Sequence, residues 1–204
     1  MAETYAFERE IRAHYTDPTE VVWLAFAARM GLTVRRSADV YATTDGRGLL
    51  TLSTPTGFDP DDTVAQMVFH EVCHWIVNGE STFSEPDWGF ELDWEVDWRE
   101  YACQRVQAVL ASTYGLERLL ASTGTYRPYY DAVLAAPLVP LDDSDGERVA
   151  VEQTLLALER AAGPPWAPHL QEALAATARL KEVLAPFLAD YRPDHDTPLG
   201  SIWS

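Results

Sequence analysis

Apolar residues recur at helical spacing through Val21, Val22, Leu24, Ala25, Ala28 and Met30. They follow Asp17-Pro18-Thr19, a helix-start signal, and precede Gly31, a helix stop, so a helix is predicted over 19–30, with another over 3–16. Between residues 32 and 54 the texture changes to short runs rich in β-branched or apolar residues: Thr33-Val34-Arg35-Arg36, Val40-Tyr41-Ala42-Thr43 and Leu49-Leu50-Thr51-Leu52-Ser53. Asp45-Gly46-Arg47-Gly48 separates the last two and is a hairpin signal, so a small antiparallel sheet is expected. Asp59-Pro60-Asp61-Asp62 offers an aspartate cap, a proline at the first helical position and acids in the first turn. The helix it predicts runs to about Val77 and stops at Asn78-Gly79. A loop over 80–92 leads to a helix from about Asp93 or Asp97 to Thr113, and a broken helical stretch continues to Ala121. A turn-rich link with Tyr126, Pro128, Tyr129 and Tyr130 follows, then a loop over 137–147 and helices over about 148–162 and 166–190, divided by Gly163-Pro164-Pro165. The tail over 192–204 is expected to be poorly ordered. The pattern is that of an α+β fold, mostly helical, with a small antiparallel sheet ahead of a long apolar helix and additional C-terminal helices. Residues 1–191 read as one domain, without internal repeat.

Composition narrows the class. At 204 residues and 22.8 kDa, a core can bury roughly 70% of the unfolded surface. With 47% hydrophobic and 23% charged residues, disordered and fibrous readings fail. No apolar run approaches the roughly 18 residues of a membrane span. The first residues, Met1-Ala2-Glu3-Thr4-Tyr5, lack the basic-then-apolar pattern of a secretory signal, so a cytoplasmic protein is expected. A net charge of −17 repels phosphate backbones and anionic lipid, which argues against nucleic-acid and membrane partners. Two cysteines make neither a disulfide scaffold nor a four-thiolate zinc site, and Cys73 and Cys103 read as buried thiols.

The chemistry concentrates in His70-Glu71-Val72-Cys73-His74, an H-E-x-x-H motif on the apolar helix with Val64, Met67, Val68, Phe69 and Ile76 around it. Residues four apart share a helix face, so both imidazoles can reach one metal ion, and Glu71 flanks the open coordination site as a candidate general base on metal-bound water. A third ligand is expected downstream, where eight acids stand against Arg99 between Glu80 and Glu100. Asp97 and Glu100 are the candidates because they begin or enter the next helix. If Trp94, Trp98, Tyr101, Ala102, Val106 and Val109 form that helix's buried face, Asp97 lies at its edge and Glu100 further round, which favours Asp97 narrowly. The competing structural reading is that Asp97-Trp98-Arg99-Glu100 is a capping box, with both acids serving backbone amides.

The stretch from His70 to Gly79, followed after seven residues by Asp87-Trp88-Gly89-Phe90, resembles the elongation factor P hydroxylase family, which shows H-E-x-x-H-W-x-x-x-G and then D-F-G-Y at the same distance. The family's V-E-x-x-x-x-A segment is similar to Val96-Asp97-Trp98-Arg99-Glu100-Tyr101-Ala102. The resemblance covers roughly 35 to 45 residues and implies an iron-dependent hydroxylase acting on a lysine-bearing protein, with Fe(II) on His70, His74 and Asp97. A second resemblance, of Arg99-Glu100-Tyr101 and of the sheet-then-helix order to gluzincin metallopeptidases, implies a zincin-like fold. It also implies Zn(II) on His70, His74 and Glu100, with Glu71 as base. A metal-stabilised binding module without turnover is the third alternative.

Trp75, Trp88, Trp94 and Trp98 fall among the acids, and aromatic walls with carboxylates suit a cationic, lysine-bearing protein or peptide substrate. Trp75, Asp87 and Trp88 are therefore candidate substrate-binding residues, against the plainer reading of core and cap. One of Tyr101, Tyr114, Tyr126, Tyr129 and Tyr130 is a candidate oxyanion donor. His14, His169 and His195 read as bystanders.

Overall fold

The computed structural model describes residues 10, 12–90, 98–192 and 200–203. Six helices and three strands follow in the order α1 (Pro18–Arg29), β1 (Thr33–Ser37), β2 (Ala42–Thr44), β3 (Leu49–Ser53), α2 (Val64–Asn78), α3 (Trp98–Thr113), α4 (Arg127–Val133), α5 (Asp145–Ala161) and α6 (His169–Leu188). The fold is α+β and mostly helical.

The sheet is mixed, in the order β1-β3-β2, which corrects the antiparallel expectation. β2 and β3 do form the antiparallel hairpin, closed by the Asp45 carboxylate accepting from Arg47 N and Leu49 N. β1, however, lies parallel to β3, from Thr33 opposite Leu49 to Ser37 opposite Ser53. Burial gives the reason. β3 carries Leu50 and Leu52, both wholly buried, and so takes the centre, whereas β1 has no buried residue and is left at an edge.

α1 begins as expected, with Asp17 accepting from Thr19 N. Its Trp23 donates from Nε1 to Thr177 Oγ1 at 3.0 Å, tying it to α6. Of the helix expected over 3–16, residues 3–9 and 11 lie outside the described residues; residues 10 and 12–16 are not helical, and 12–16 are all exposed with no face to bury. The start of α2 is also corrected: Thr63, not Asp59, is its cap, accepting from Gln66 N at 3.1 Å. Asp59-Pro60-Asp61-Asp62 instead closes a turn, with Asp62 N donating to Asp59 O. The far end stops as expected at Gly79, whose φ of +95° continues no helix, and Arg160 of α5 donates to Ile76 O and Val77 O there.

α2 is the axis of the molecule. It packs against α1, α3 and α5 and is buried on nearly every face, so its site is built deep rather than on a surface. The tyrosine-rich link contains α4, where a turn was expected, because Tyr130 and Val133 have a buried surface to meet. Of the tail, residues 192 and 200–203 are described, and Ile202 and Trp203 pack against the core; 193–199 and 204 lie outside the described residues. Among the described residues no helix is long and apolar enough to cross a membrane.

Candidate metal centre

His70 and His74 are one turn apart on α2, and their Nε2 atoms lie 3.1 Å from each other. α3 brings Glu100 to them from its first turn: Oε2 is 3.3 Å from His74 Nε2, and Oε1 is 3.9 Å from His70 Nε2. Donor atoms about 2.1 Å from one ion at tetrahedral angles stand about 3.4 Å apart, so these three side chains fit a single divalent ion. His70, His74, Glu100 and Cys103 are the group of potential ligands found together among the described residues. Cys103 approaches His70 from the other side of the ring, with Sγ 3.7 Å from Nδ1 and 3.6 Å from the His70 carbonyl. Both cysteines are free thiols, as expected, and burial pushes both well above the usual thiol range.

The other atoms of the cluster are held by neighbours. Gln104 Nε2 donates to Glu100 Oε1 at 2.6 Å, which leaves Oε2 for His74. His70 Nδ1 lies 3.0 Å from Gln107 Oε1, and the ring of His74 stacks on Phe90 at 5.2 Å. Burial lowers the pKa of His74 to about 4, so the ring is neutral at physiological pH and able to give a lone pair. Glu71 is buried beside them, 9% exposed. Burial, reinforced by Glu100 and Asp87, raises its pKa to about 7.

Of the expected site residues, His70, Glu71, His74 and Glu100 are thus brought together. Asp97, the narrowly favoured third ligand, lies outside the described residues, as do Glu91, Asp93, Trp94, Glu95 and His195. Glu100 is buried at 4% exposure rather than turned away from the core. Its carboxylate is taken up by Gln104 and the imidazoles. Trp75 and Trp88 stack on one another at 5.2 Å deep in the core, 3% and 2% exposed, so neither offers a face to an incoming molecule. Asp87 sits at a left-handed φ of +48°, and its carboxylate accepts from Thr43 Oγ1 and Thr44 N, both at 2.7 Å, pinning the 86–89 turn to β2. Tyr129 is engaged by Arg105 and Glu147, and Tyr130 donates to Glu117 O.

The sequence singles out neither Gln104 nor Gln107, and Cys103 reads there as a buried thiol rather than as part of the site. The signal was present: with Glu100 they stand at i, i+3, i+4 and i+7, a polar stripe along one face of α3 that meets the two histidines. Comparison with protein-family models, curated proteins and solved structures found no match.

Proposed function

We propose that the chain is a zincin-like, mononuclear metal enzyme that hydrolyses a peptide or amide bond, with His70, His74 and Glu100 holding one divalent ion and Glu71 moving the proton. The observation that carries this is the meeting of the Glu100 carboxylate with both Nε2 atoms of the H-E-x-x-H pair, beside a buried Glu71. A bound Zn(II) would supply Lewis acidity and lower the pKa of a coordinated water towards neutrality. Glu71, with its pKa raised to about 7, is matched to take up a proton and return it to a leaving amine near neutral pH. Gln104 orients Glu100, and Phe90 covers one face of His74.

The substrate class we infer is a basic or lysine-bearing protein or peptide. A net charge of −17, with Glu80 and Glu85 exposed just beyond α2, favours a cationic partner. Its binding should weaken with salt, since exposed charges are screened beyond about 8 Å at physiological ionic strength.

A second reading is supported by the donor set itself. Two imidazoles and one carboxylate also form the facial triad of non-haem iron oxygenases, and the resemblance to the elongation factor P hydroxylase family points the same way.

Metal analysis of protein purified anaerobically without added metal separates the two readings. One zinc per chain, lost in His70→Ala and His74→Ala, together with cleavage of basic peptides that Glu71→Gln abolishes while keeping the metal, supports hydrolysis. One iron per chain with substrate-dependent oxygen consumption supports hydroxylation instead. Unchanged metal content in both histidine variants removes the site altogether.

A further inference from the structure

We propose that Gln107 is the positioning residue of this centre, holding His70 as its Nδ1–H tautomer so that the Nε2 lone pair faces His74 and Glu100. The inference rests on the metal-site reading above. Gln107 is wholly buried on α3, two turns beyond Glu100. Its Nε2 donates to Leu120 O at 2.9 Å, and its Oε1 lies 3.0 Å from His70 Nδ1. A backbone carbonyl only accepts, so the amide nitrogen must face Leu120 and the amide oxygen must face the ring. That oxygen also only accepts, so Nδ1 carries the proton. A neutral imidazole has one such proton, and Nε2 is left bare, in the state a metal ligand requires.

Leu120 is itself held in a turn, where Leu120 N donates to Leu116 O, and Tyr130 of α4 donates to Glu117 O in the same turn. The orientation of His70 is thereby set by backbone more than ten residues beyond Gln107. Among the described residues His74 has no counterpart, its Nδ1 being buried without a hydrogen-bond partner there. Outer-shell partners of this kind typically change metal affinity by about 10–100-fold when removed.

The test uses the full chain and Zn(II) as the probe, with affinity read by competition against a chromophoric chelator. Gln107→Met, similar in length but without the acceptor, should bind zinc about 10–100-fold more weakly. Gln107→Glu, which in its protonated form keeps an acceptor facing Nδ1 and a hydroxyl donor facing Leu120 O, should stay within a few-fold of the original. In the metal-stripped protein, ring nitrogen NMR should show His70 protonated at Nδ1, and the Met variant should shift the proton towards Nε2. Equal affinity in Gln107→Met, equal losses in the Met and Glu variants, or protonation at Nε2 in the unsubstituted protein would each overturn the proposal. The last needs no variant to fold. His70→Ala separates the levels: if it keeps zinc, the metal-site reading itself fails. If it loses zinc while Gln107→Met does not, only the positioning role falls.

Discussion

At the scale of single residues, Glu100 is the carboxylate that meets both imidazoles, and the proposed metal site turns on it. Glu100→Gln should lower zinc affinity beyond the roughly 100-fold expected of an outer-shell loss, and Asp97→Asn should leave it unchanged; titration against the same chelator reads both. The reverse result would return the third-ligand role to Asp97. Glu71 and His74 bear on stability in the metal-stripped protein. Glu71 rises from 4.5 to about 7 on folding, so the folded chain holds a proton the unfolded chain has released; that stability is full below pH 4.5 and fades as pH climbs to 7. His74 falls from 6.5 to about 4, so its contribution is full above pH 6.5 and fades as pH drops to 4. Between 4.5 and 6.5 the two slopes oppose. Glu71→Gln should leave stability rising with pH in that window, and His74→Asn should leave it falling, each by at most roughly 1.4 kcal/mol per pH unit. Urea unfolding at stepped pH reads the slopes, and identical slopes in all three proteins would contradict the assignment.

At the scale of elements, local signals were legible and non-local ones were not. The H-E-x-x-H helix, its stop at Gly79, the Asp45-Gly46-Arg47-Gly48 turn and the Asp17 cap are each written in a few adjacent residues, and each is where it was expected. The parallel pairing of β1 with β3 depends on which strand can cover the core, which no local window contains. α3 misled for a different reason. A helical wheel assumes that the apolar stripe is the buried one, yet Glu100, Gln104, Arg105 and Gln107 are all buried because they satisfy one another, the histidines and nearby carbonyls. Apolar periodicity therefore drew attention to the helix of the histidines and misplaced Glu100, which it set away from the buried face. Two caps competed for α2, and the outcome is measurable. Thr63→Ala should cost about 1 kcal/mol, and Asp59→Ala much less, in urea unfolding. A larger loss at Asp59 would move the helix start back to the first turn signal.

At the scale of the whole molecule, stability depends on a buried charge. Arg105 of α3 donates to Tyr129 Oη, to the carbonyls of Pro137 and Val139 and to Glu147, and Leu141 N also donates to Glu147. One guanidinium thus joins α3, α4, α5 and the 137–141 segment. Arg105→Met would leave Glu147 buried without its countercharge and should destabilise by about 3–5 kcal/mol, whereas Arg105→Met with Glu147→Leu should recover part of the loss. Calorimetry or urea unfolding checks both. If the double variant is no better than the single, the buried charge left behind is not the source of the loss.

The pinning of β2 by Asp87 has a consequence for how copies of this chain meet. A sheet edge with free amides templates the addition of a further strand, from a peptide or from another copy. Here β2 is three residues long, its Thr44 amide is already spent on the Asp87 carboxylate, and Asp45 is bridged to Pro86. At the β2 edge the chain itself thus occupies the Thr44–Asp45 end, which leaves less of that edge for an added strand, whereas β1 forms the opposite edge. Asp87→Ala would reopen that end, and concentration-dependent association, seen by light scattering in the variant but not in the original chain, is the expected sign.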